Sequence, residues 1–294
     1  MGKMFEALRK TELEKSAEFA EYKEEVSETV PADVVFDDKL VAYYQRASMV
    51  SEQFRRLRTY ITSPRIDGTY PKTILVTSTL AGEGKSLIAA NLAVMIAAEL
   101  QSYALLVDCD LRSPSLSQLF GLQQQKGLSN YLAGETKIEE ILMKTSIDKL
   151  SILPGGSLEE NPVELIGSIK MKSLVQDLKS RYDDRFIIFD SSPILPTTEP
   201  SVLNKMVDGI IMVIMSGKTP RESITQAIKS LDEKKILGVV LNNLEFKTNA
   251  MFRKHFGSDH YYYNYNYDYA RSDTQPNIWG KIKDKVGDIK IFRK

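Results

Sequence analysis

The sequence has little cysteine, no excess of either charge and no long apolar run. Cys109 is the only cysteine, so no disulfide can form within the chain and a reducing compartment is expected. The 39 basic and 39 acidic side chains cancel, so the total charge does not predict nucleic acid binding. The most apolar stretch, LIAANLAVMIAAEL, contains Asn91 and Glu99 and is too short and too polar to span a bilayer. With no apolar signal segment after Met1, these absences predict a cytoplasmic protein.

Charge is distributed unevenly despite the neutral total. Residues 1–30 carry five basic and eight acidic side chains, whereas 271–294 carry seven basic and three acidic ones. Both ends therefore differ from a neutral middle. We predict a charged helical N-terminal arm over 1–35, a main domain over 36–257, and a tail over 258–294 that holds a tyrosine cluster and a basic end.

The middle of the chain alternates short apolar runs with helical segments. Runs rich in β-branched residues lie within 73–78, 104–110, 150–155, 185–190, 209–215 and 236–242. Helical patterns cover about 39–62, 85–100, 136–145, 161–182 and 220–234. Apolar runs without polar alternation are typical of strands buried on both faces. The order predicts an α/β fold with a mostly parallel sheet and helices on both faces.

The strongest chemical signal is TSTLAGEGKSLIAANLA, which follows a predicted strand and opens a predicted helix, as a P-loop does. Gly82 and Gly84 allow tight turns, so that backbone N–H groups can surround phosphate oxygens. Lys85 would reach the β- and γ-phosphates, and the Ser86 hydroxyl would bind Mg²⁺. The pattern predicts ATP and Mg²⁺ as cofactors, with the nucleotide contacted by Ala81, Gly82, Glu83, Gly84, Lys85, Ser86 and Leu87.

This loop departs from the usual pattern at one position. Thr79 stands where Gly or Ala is usual, so the motif is a deviant Walker A. The alternative is a Gly-rich strand–helix turn that carries a Lys-Ser pair by chance.

Three aspartates end predicted strands downstream of the loop. LLVDCDLRSP places Asp108 and Asp110 at the end of one strand, and RFIIFD places Asp190 at the end of another. Ligands of parallel sheets bind at these carboxyl ends. We predict that Ser86, Asp110 and Asp190 bind the metal. Each aspartate taken alone could instead be a turn former or a helix cap.

Two further residues are weaker candidates for nucleotide contact. Arg112 could pair with a phosphate or hold a neighbouring aspartate. Asn242 ends the last predicted strand and could bind the adenine edge or simply form a turn.

The motifs LAGEGKS, LLVDCDLRSP and IIFDSS resemble the Walker A, A′ and B set of bacterial tyrosine kinases. These kinases are related to Min-type and chromosome-partition P-loop ATPases. The resemblance runs from about residue 4 to residue 269 and implies an Mg²⁺- and ATP-dependent protein-tyrosine autokinase. Its catalytic residues would be Lys85, Asp108, Asp110 and Asp190. Asp108 would accept the tyrosine proton, although Asp108 and Asp110 could exchange roles.

The resemblance has departures that leave these groups in place. Ala81 stands where Pro is frequent, Asp-Ser-Ser-Pro replaces Asp-Thr-Pro-Pro from Asp190 onward, and Glu199 stands where Asp is common. The partition ATPases typically carry a second lysine near Leu80, which this sequence lacks. The kinase branch is therefore favoured over a partition-type switch or a nucleotide-controlled scaffold.

Six tyrosines within nine residues form the second distinctive feature. They are Tyr261, Tyr262, Tyr263, Tyr265, Tyr267 and Tyr269. The resemblance implies that they are the phosphoacceptors of a flexible tail. An aromatic strand or a stacking patch for polysaccharide or single-stranded nucleic acid is the alternative. No Arg or Lys lies between His260 and Ala270, which disfavours a nucleic acid partner.

SEQFRRLRT spaces Glu52, Arg55 and Arg58 along one helical face. The resemblance implies an oligomerisation motif and a ring-shaped homo-oligomer such as an octamer, with each tail phosphorylated in trans. Without the resemblance, the same spacing describes a solvated amphipathic face.

The resemblance also implies a cellular role in exopolysaccharide or capsule synthesis or export. The expected partners are the cytosolic segment of a separate membrane co-polymerase that activates the kinase, a phosphotyrosine phosphatase and other protein tyrosine substrates. The co-polymerase would recruit a cytoplasmic protein to the inner face of the plasma membrane. For the basic end, WGKIKDKVGDIKIFRK, we expect a frayed tail rather than a membrane-binding helix, because Gly287 weakens the helix.

Overall fold

The computed structural model describes residues 35–64, 68–122, 126–181, 184–244 and 288–292. The predicted N-terminal arm up to residue 34 and the tyrosine cluster lie outside these ranges.

Eight strands form one sheet in the order β3-β4-β2-β5-β1-β6-β7-β8. The strands are β1 (Thr73–Ser78), β2 (Tyr103–Asp108), β3 (Met143–Lys144), β4 (Leu150–Leu153), β5 (Arg185–Asp190), β6 (Gly209–Met215), β7 (Ile236–Leu244) and β8 (Asp288–Phe292). The six central strands pair in parallel, as the apolar runs predict.

The helices connect the strands on both sides of the sheet. They are α1 (Val41–Tyr44), α2 (Met49–Thr62), α3 (Lys85–Ala97), α4 (Leu116–Leu119), α5 (Leu128–Ala133), α6 (Ile138–Ile141), α7 (Pro162–Gly167), α8 (Ile169–Arg181), α9 (Glu199–Leu203) and α10 (Arg221–Lys229). The mostly parallel α/β fold is therefore confirmed. No helix of the described residues is long and apolar enough to cross a bilayer.

Both outer strands differ from the sequence-based expectation. β3 and β8 pair antiparallel with β4 and β7. The prediction of a frayed basic tail was wrong over Asp288–Phe292, because this segment is β8. Ile289 and Ile291 alternate with charged residues, which is the two-residue period of a strand. Residues 245–287, including the tyrosines, connect β7 to β8.

Two predicted helices are interrupted, and a third, expected over 136–145, ends at Ile141 because Met143–Lys144 form β3. The helix expected over 39–62 breaks between α1 and α2, where Ser48 accepts a hydrogen bond from the Ser51 backbone and caps α2. The buried Ser51 hydroxyl donates to the carbonyl of Gln45 at 2.7 Å. The helix expected over 161–182 breaks at Ser168, between α7 and α8.

The sheet separates two apolar cores. Helix α3 lies on one face, and ten of its 13 residues, Ile88 to Ala97, are buried. Helices α8 and α10 contribute to the core on the other face. Because both faces are covered, the carboxyl edge of the parallel strands is the part of the sheet that remains available for a ligand.

Candidate active site

The P-loop joins the carboxyl end of β1 to the start of α3. Gly82 and Gly84 have φ angles of +78° and +90°. Residues that carry a Cβ atom rarely adopt such positive values. A Cβ on Gly84 would lie 2.2 Å from Nδ2 of Asn242, so any other residue there would displace the Asn242 side chain. Ala81 and Gly82 are exposed, whereas Leu87 lies partly buried in the first turn of α3. The loop therefore places its backbone at the amino end of a buried helix, where anions bind.

Lys85 lies among three carboxylates. Its Nζ is 2.7 Å from Oδ2 of Asp110 and donates to the Ser86 hydroxyl at 3.3 Å. Burial by itself would lower the pKa of Lys85, but the charges of Asp190, Asp110 and Asp108 outweigh burial and raise it. The lysine is thus held as a cation at the edge where the strands end.

Asp108 is fully buried at the end of β2 and directly opposite Asp190 of β5 in the parallel register. Its Oδ2 accepts the backbone N–H groups of Ser115 (3.0 Å) and Leu116 (3.1 Å). Burial, followed by the charge of Asp190, raises the pKa of Asp108 to about 8, although the two N–H groups act in the opposite direction. Asp108 thus accepts hydrogen bonds at the start of α4, and its carboxyl group has a pKa close to neutral pH.

Asp190 has the feature that most clearly indicates a ligand-binding role. Both of its carboxylate oxygens are buried, and neither has a hydrogen-bond partner among the residues that the structure describes. Burial raises its pKa to about 6, with the charge of Lys85 and the nearby Ser86 hydroxyl favouring the ionised form. The hydroxyl does not reach hydrogen-bond geometry with these oxygens.

The residues fit Mg²⁺ only together with a nucleotide. Within the described ranges, no group of three or more His, Cys, Asp or Glu side chains is arranged to hold a metal ion. Mg²⁺ commonly uses one or two carboxylates, water and substrate phosphates instead of an all-protein cage. Asp190 supplies free oxygens for this arrangement, and Ser86 and Asp110 flank Lys85 beside it.

Arg112 pairs with Glu199 and not with an aspartate. Its Nε lies 2.8 Å from Oε1 of Glu199, whose side chain is buried while that of Arg112 is about half exposed. The second oxygen, Oε2 of Glu199, is buried and has no hydrogen-bond partner within the described ranges. The predicted phosphate contact of Arg112 therefore stays a prediction, and Glu199 is a structural partner that the sequence did not reveal.

Asn242 contacts the P-loop through its side chain. Its Nδ2 donates to the Glu83 carbonyl at 2.9 Å. The predicted adenine contact remains a prediction, as does nucleotide contact by Glu83, whose buried carboxylate faces Leu80 and Thr219. Thr219 was missed because a threonine after a strand carries no recognisable signal.

Glu52, Arg55 and Arg58 lie on α2. Arg55 forms an ion pair with Glu52, and both side chains are about half exposed. The Arg58 Nε is buried, and no described residue forms a hydrogen bond with it. A single chain does not test the predicted oligomer interface.

The chain resembles known proteins over this same region. Residues 71–243 match the model of the family described as an AAA domain. The tyrosine-protein kinase YwqD of Bacillus subtilis (strain 168) is 34% identical over 215 residues, which cover 72% of this chain and 89% of the relative. The succinoglycan biosynthesis transport protein ExoP of Rhizobium meliloti (strain 1021) is 28% identical over 235 residues, 78% of this chain and 29% of ExoP.

A solved structure shows the same fold. The crystal structure of the chimerical protein CapA2B2 aligns with a TM-score of 0.64 at 30% identity, over 72% of this chain and 92% of that one. The fold, the P-loop with its three aspartates, and the extent of these matches agree. The chain belongs to the AAA-domain family and, within it, to the bacterial tyrosine-protein kinases.

Proposed function

We propose that the protein transfers the γ-phosphoryl group of ATP to its own tyrosine cluster, Tyr261 to Tyr269, in a neighbouring subunit of a homo-oligomer. The observation that carries this proposal is the convergence of Lys85 with three buried aspartates at the carboxyl edge of the sheet. The six tyrosines supply hydroxyl acceptors within the same chain.

The P-loop residues would bind and neutralise the phosphates. The Lys85 ammonium would exchange the Asp110 carboxylate for β- and γ-phosphate oxygens. This exchange would free Asp110 to join Ser86 and Asp190 at the metal. Bound Mg²⁺ would supply a Lewis acid that withdraws charge from the phosphate oxygens.

The chemical step balances with ATP as the phosphoryl donor. The tyrosine oxygen forms a bond to the γ-phosphorus, while the bond to the oxygen that bridges the β- and γ-phosphorus atoms breaks and leaves ADP. We assign the released tyrosine proton to Asp108, because Asp110 is engaged by Lys85 or the metal.

The relatives support a proposal for the cellular role. The name of ExoP connects one relative to polysaccharide biosynthesis and transport, which supports a role in exopolysaccharide or capsule synthesis or export. The cytosolic segment of a membrane co-polymerase would activate the kinase and recruit it to the inner face of the plasma membrane. A phosphotyrosine phosphatase would reset the tail. Each phosphate adds about −1.5 to −2 charges, so clustered phosphotyrosines would repel one another and loosen the ring.

Intact-mass analysis after incubation with Mg·ATP tests the proposal. Two variants of the full chain are needed: Lys85→Met, and one with all six tyrosines changed to Phe. The second is preferable to a truncation, because a chain that ends before residue 288 would also lose β8. We expect phosphate on the wild type alone. A mixture of the two variants separates the routes, since phosphate on the Lys85→Met chain can arise only in trans.

Two results would contradict this function. ATP hydrolysis without phosphotyrosine, even after the cytosolic segment of a co-polymerase is added, would indicate a partition-type ATPase switch. Nucleotide binding that changes assembly without hydrolysis would indicate a scaffold.

A further inference from the structure

We propose that Thr219, which lies outside the motifs described above, is a positioning residue that fixes the P-loop through the Glu83 carboxylate. The inference rests on the proposed nucleotide binding of this loop. It concerns how the loop is held open for phosphate before any ligand arrives.

Glu83 lies in the middle of the P-loop, but its side chain turns away from the phosphate cradle. The residue is 3% exposed. Its Oε2 accepts the backbone N–H of Leu80 at 2.9 Å, and its Oε1 accepts the hydroxyl of Thr219. A buried carboxylate is costly unless hydrogen bonds satisfy it, so the conformation of the loop depends on these two donors.

Thr219 is itself anchored to the sheet. The backbone N–H of Met215, the last residue of β6, donates to Oγ1 of Thr219 at 3.2 Å. A threonine hydroxyl has one proton, and a carboxylate is the strongest acceptor within its reach. The hydroxyl therefore accepts from β6 and donates to the P-loop, and so connects the two.

A second strand holds the same loop residue. Asn242 of β7 donates its side-chain amide to the Glu83 carbonyl, and its own backbone carbonyl accepts from Ser216 at 2.9 Å. Glu83 is thus held by its carboxylate and by its carbonyl, from β6 and β7 respectively. These contacts fix the path between Gly82 and Gly84, where the N–H groups must converge on phosphate. Pre-organisation of this kind favours binding because less ordering is left to the ligand.

The test is the affinity of the full-length protein for Mg·ADP, measured by titration calorimetry. Thr219→Val keeps the branched shape and removes the hydroxyl, and Thr219→Ser restores it. The matched control is Thr225→Val on α10, since the Thr225 hydroxyl is exposed and donates only to the Arg221 carbonyl. We expect Thr219→Val to weaken ADP binding about tenfold, the usual scale for a lost hydrogen bond to a charged group. The Ser variant and the control should bind like the wild type.

A double-mutant cycle with Glu83→Ala shows whether Thr219 acts through Glu83. We expect Thr219→Val to add little in the Glu83→Ala background. Additive losses would overturn the inference, as would unchanged affinity in Thr219→Val, with or without a lower thermal midpoint. A wild type that does not bind Mg·ADP would overturn the proposed function itself, an outcome distinct from the failure of this inference alone.

Discussion

The aspartates at the two edges of the sheet have opposite hydrogen-bonding environments. At the amino edge, Asp208 accepts the backbone N–H groups of Lys72 and Thr73, each at 3.2 Å, and forms an ion pair with Lys179. At the carboxyl edge, Asp190 is buried and lies opposite Asp108, and neither of its oxygens forms a hydrogen bond within the described part of the chain. The fold supplies hydrogen-bond donors to the Asp208 carboxylate, whereas the Asp190 carboxylate is left available to a ligand.

The pKa directions express the same contrast. Burial would raise the pKa of Asp208, but hydrogen bonds from Lys179 and Thr73 more than offset burial and lower it. The pKa of Asp190 is instead raised to about 6, mainly by burial. Strained or unsatisfied groups persist in a fold mainly where they serve function. We therefore expect Asp208 to contribute to stability and Asp190 to ligand binding.

Replacement of Asp190 should produce the largest effect. Asp190→Asn keeps the size of the side chain but removes the negative charge, so metal and phosphate binding should weaken. We expect the initial rate of phosphotyrosine formation to fall by about 100-fold or more, the scale of losing one electrostatic contact to the reacting groups. The thermal midpoint without nucleotide should hold or rise, because a buried and unsatisfied charge is removed.

An Asp190→Asn variant that keeps its activity, or loses activity only as it loses folded protein, would break the comparison. Asp208→Asn is the matched control for this measurement. The control makes the same chemical change at the opposite edge and should leave the rate unchanged.

The contrast also shows which parts of the site a sequence can predict. The three aspartates and Lys85 were predictable because each follows a continuous apolar strand or belongs to the loop motif. β1, β5 and β6 were predicted with their observed bounds because strands buried on both faces are uninterrupted apolar runs.

Contacts between residues that are far apart in the chain leave no such pattern in the sequence. Thr219 and Glu83 lie 136 residues apart in the chain, and Glu199 is 87 residues from Arg112. β3 has only two residues, which is too short for any periodicity. What could not be predicted depends on which distant residues the fold brings together.

A smaller effect is expected at the amino edge. Asp208→Asn replaces an ionised acceptor that serves two backbone N–H groups and Lys179. We expect a loss of about 1 kcal/mol in the free energy of unfolding at pH 7, after allowance for the partial exposure of the pair. In a domain of this size the thermal midpoint would fall by about 2–4 °C. Urea unfolding monitored by circular dichroism measures this change, and a loss near zero would show that the hydrogen bonds of Asp208 contribute little.

The smallest expected effect is the pH dependence of the change in unfolding free energy that Asp190→Asn and Asp208→Asn cause. The sign of this dependence differs between the two edges of the sheet. Asp208 has a lowered pKa in the folded state, so its stabilisation is present above the unfolded value of about 3.9 and is lost as the pH falls through the folded value. The difference between wild type and Asp208→Asn should therefore stay constant down to about pH 5 and shrink as the pH falls further towards 3. Asp190 has a raised pKa in the folded state. Between about pH 4 and pH 6 the folded state therefore binds more protons than the unfolded state, and the stability of the protein decreases as the pH rises.

The gain from Asp190→Asn should accordingly grow over that interval and level off above pH 6. Chemical unfolding at each pH, in EDTA and without nucleotide, measures the free energy of unfolding of the wild type and of both variants. Parallel pH trends for the two variants would mean that both carboxylates are equally satisfied in the folded protein. Opposite trends would show that the fold stabilises the charge at one edge of the sheet and holds it at a cost, available to a ligand, at the other.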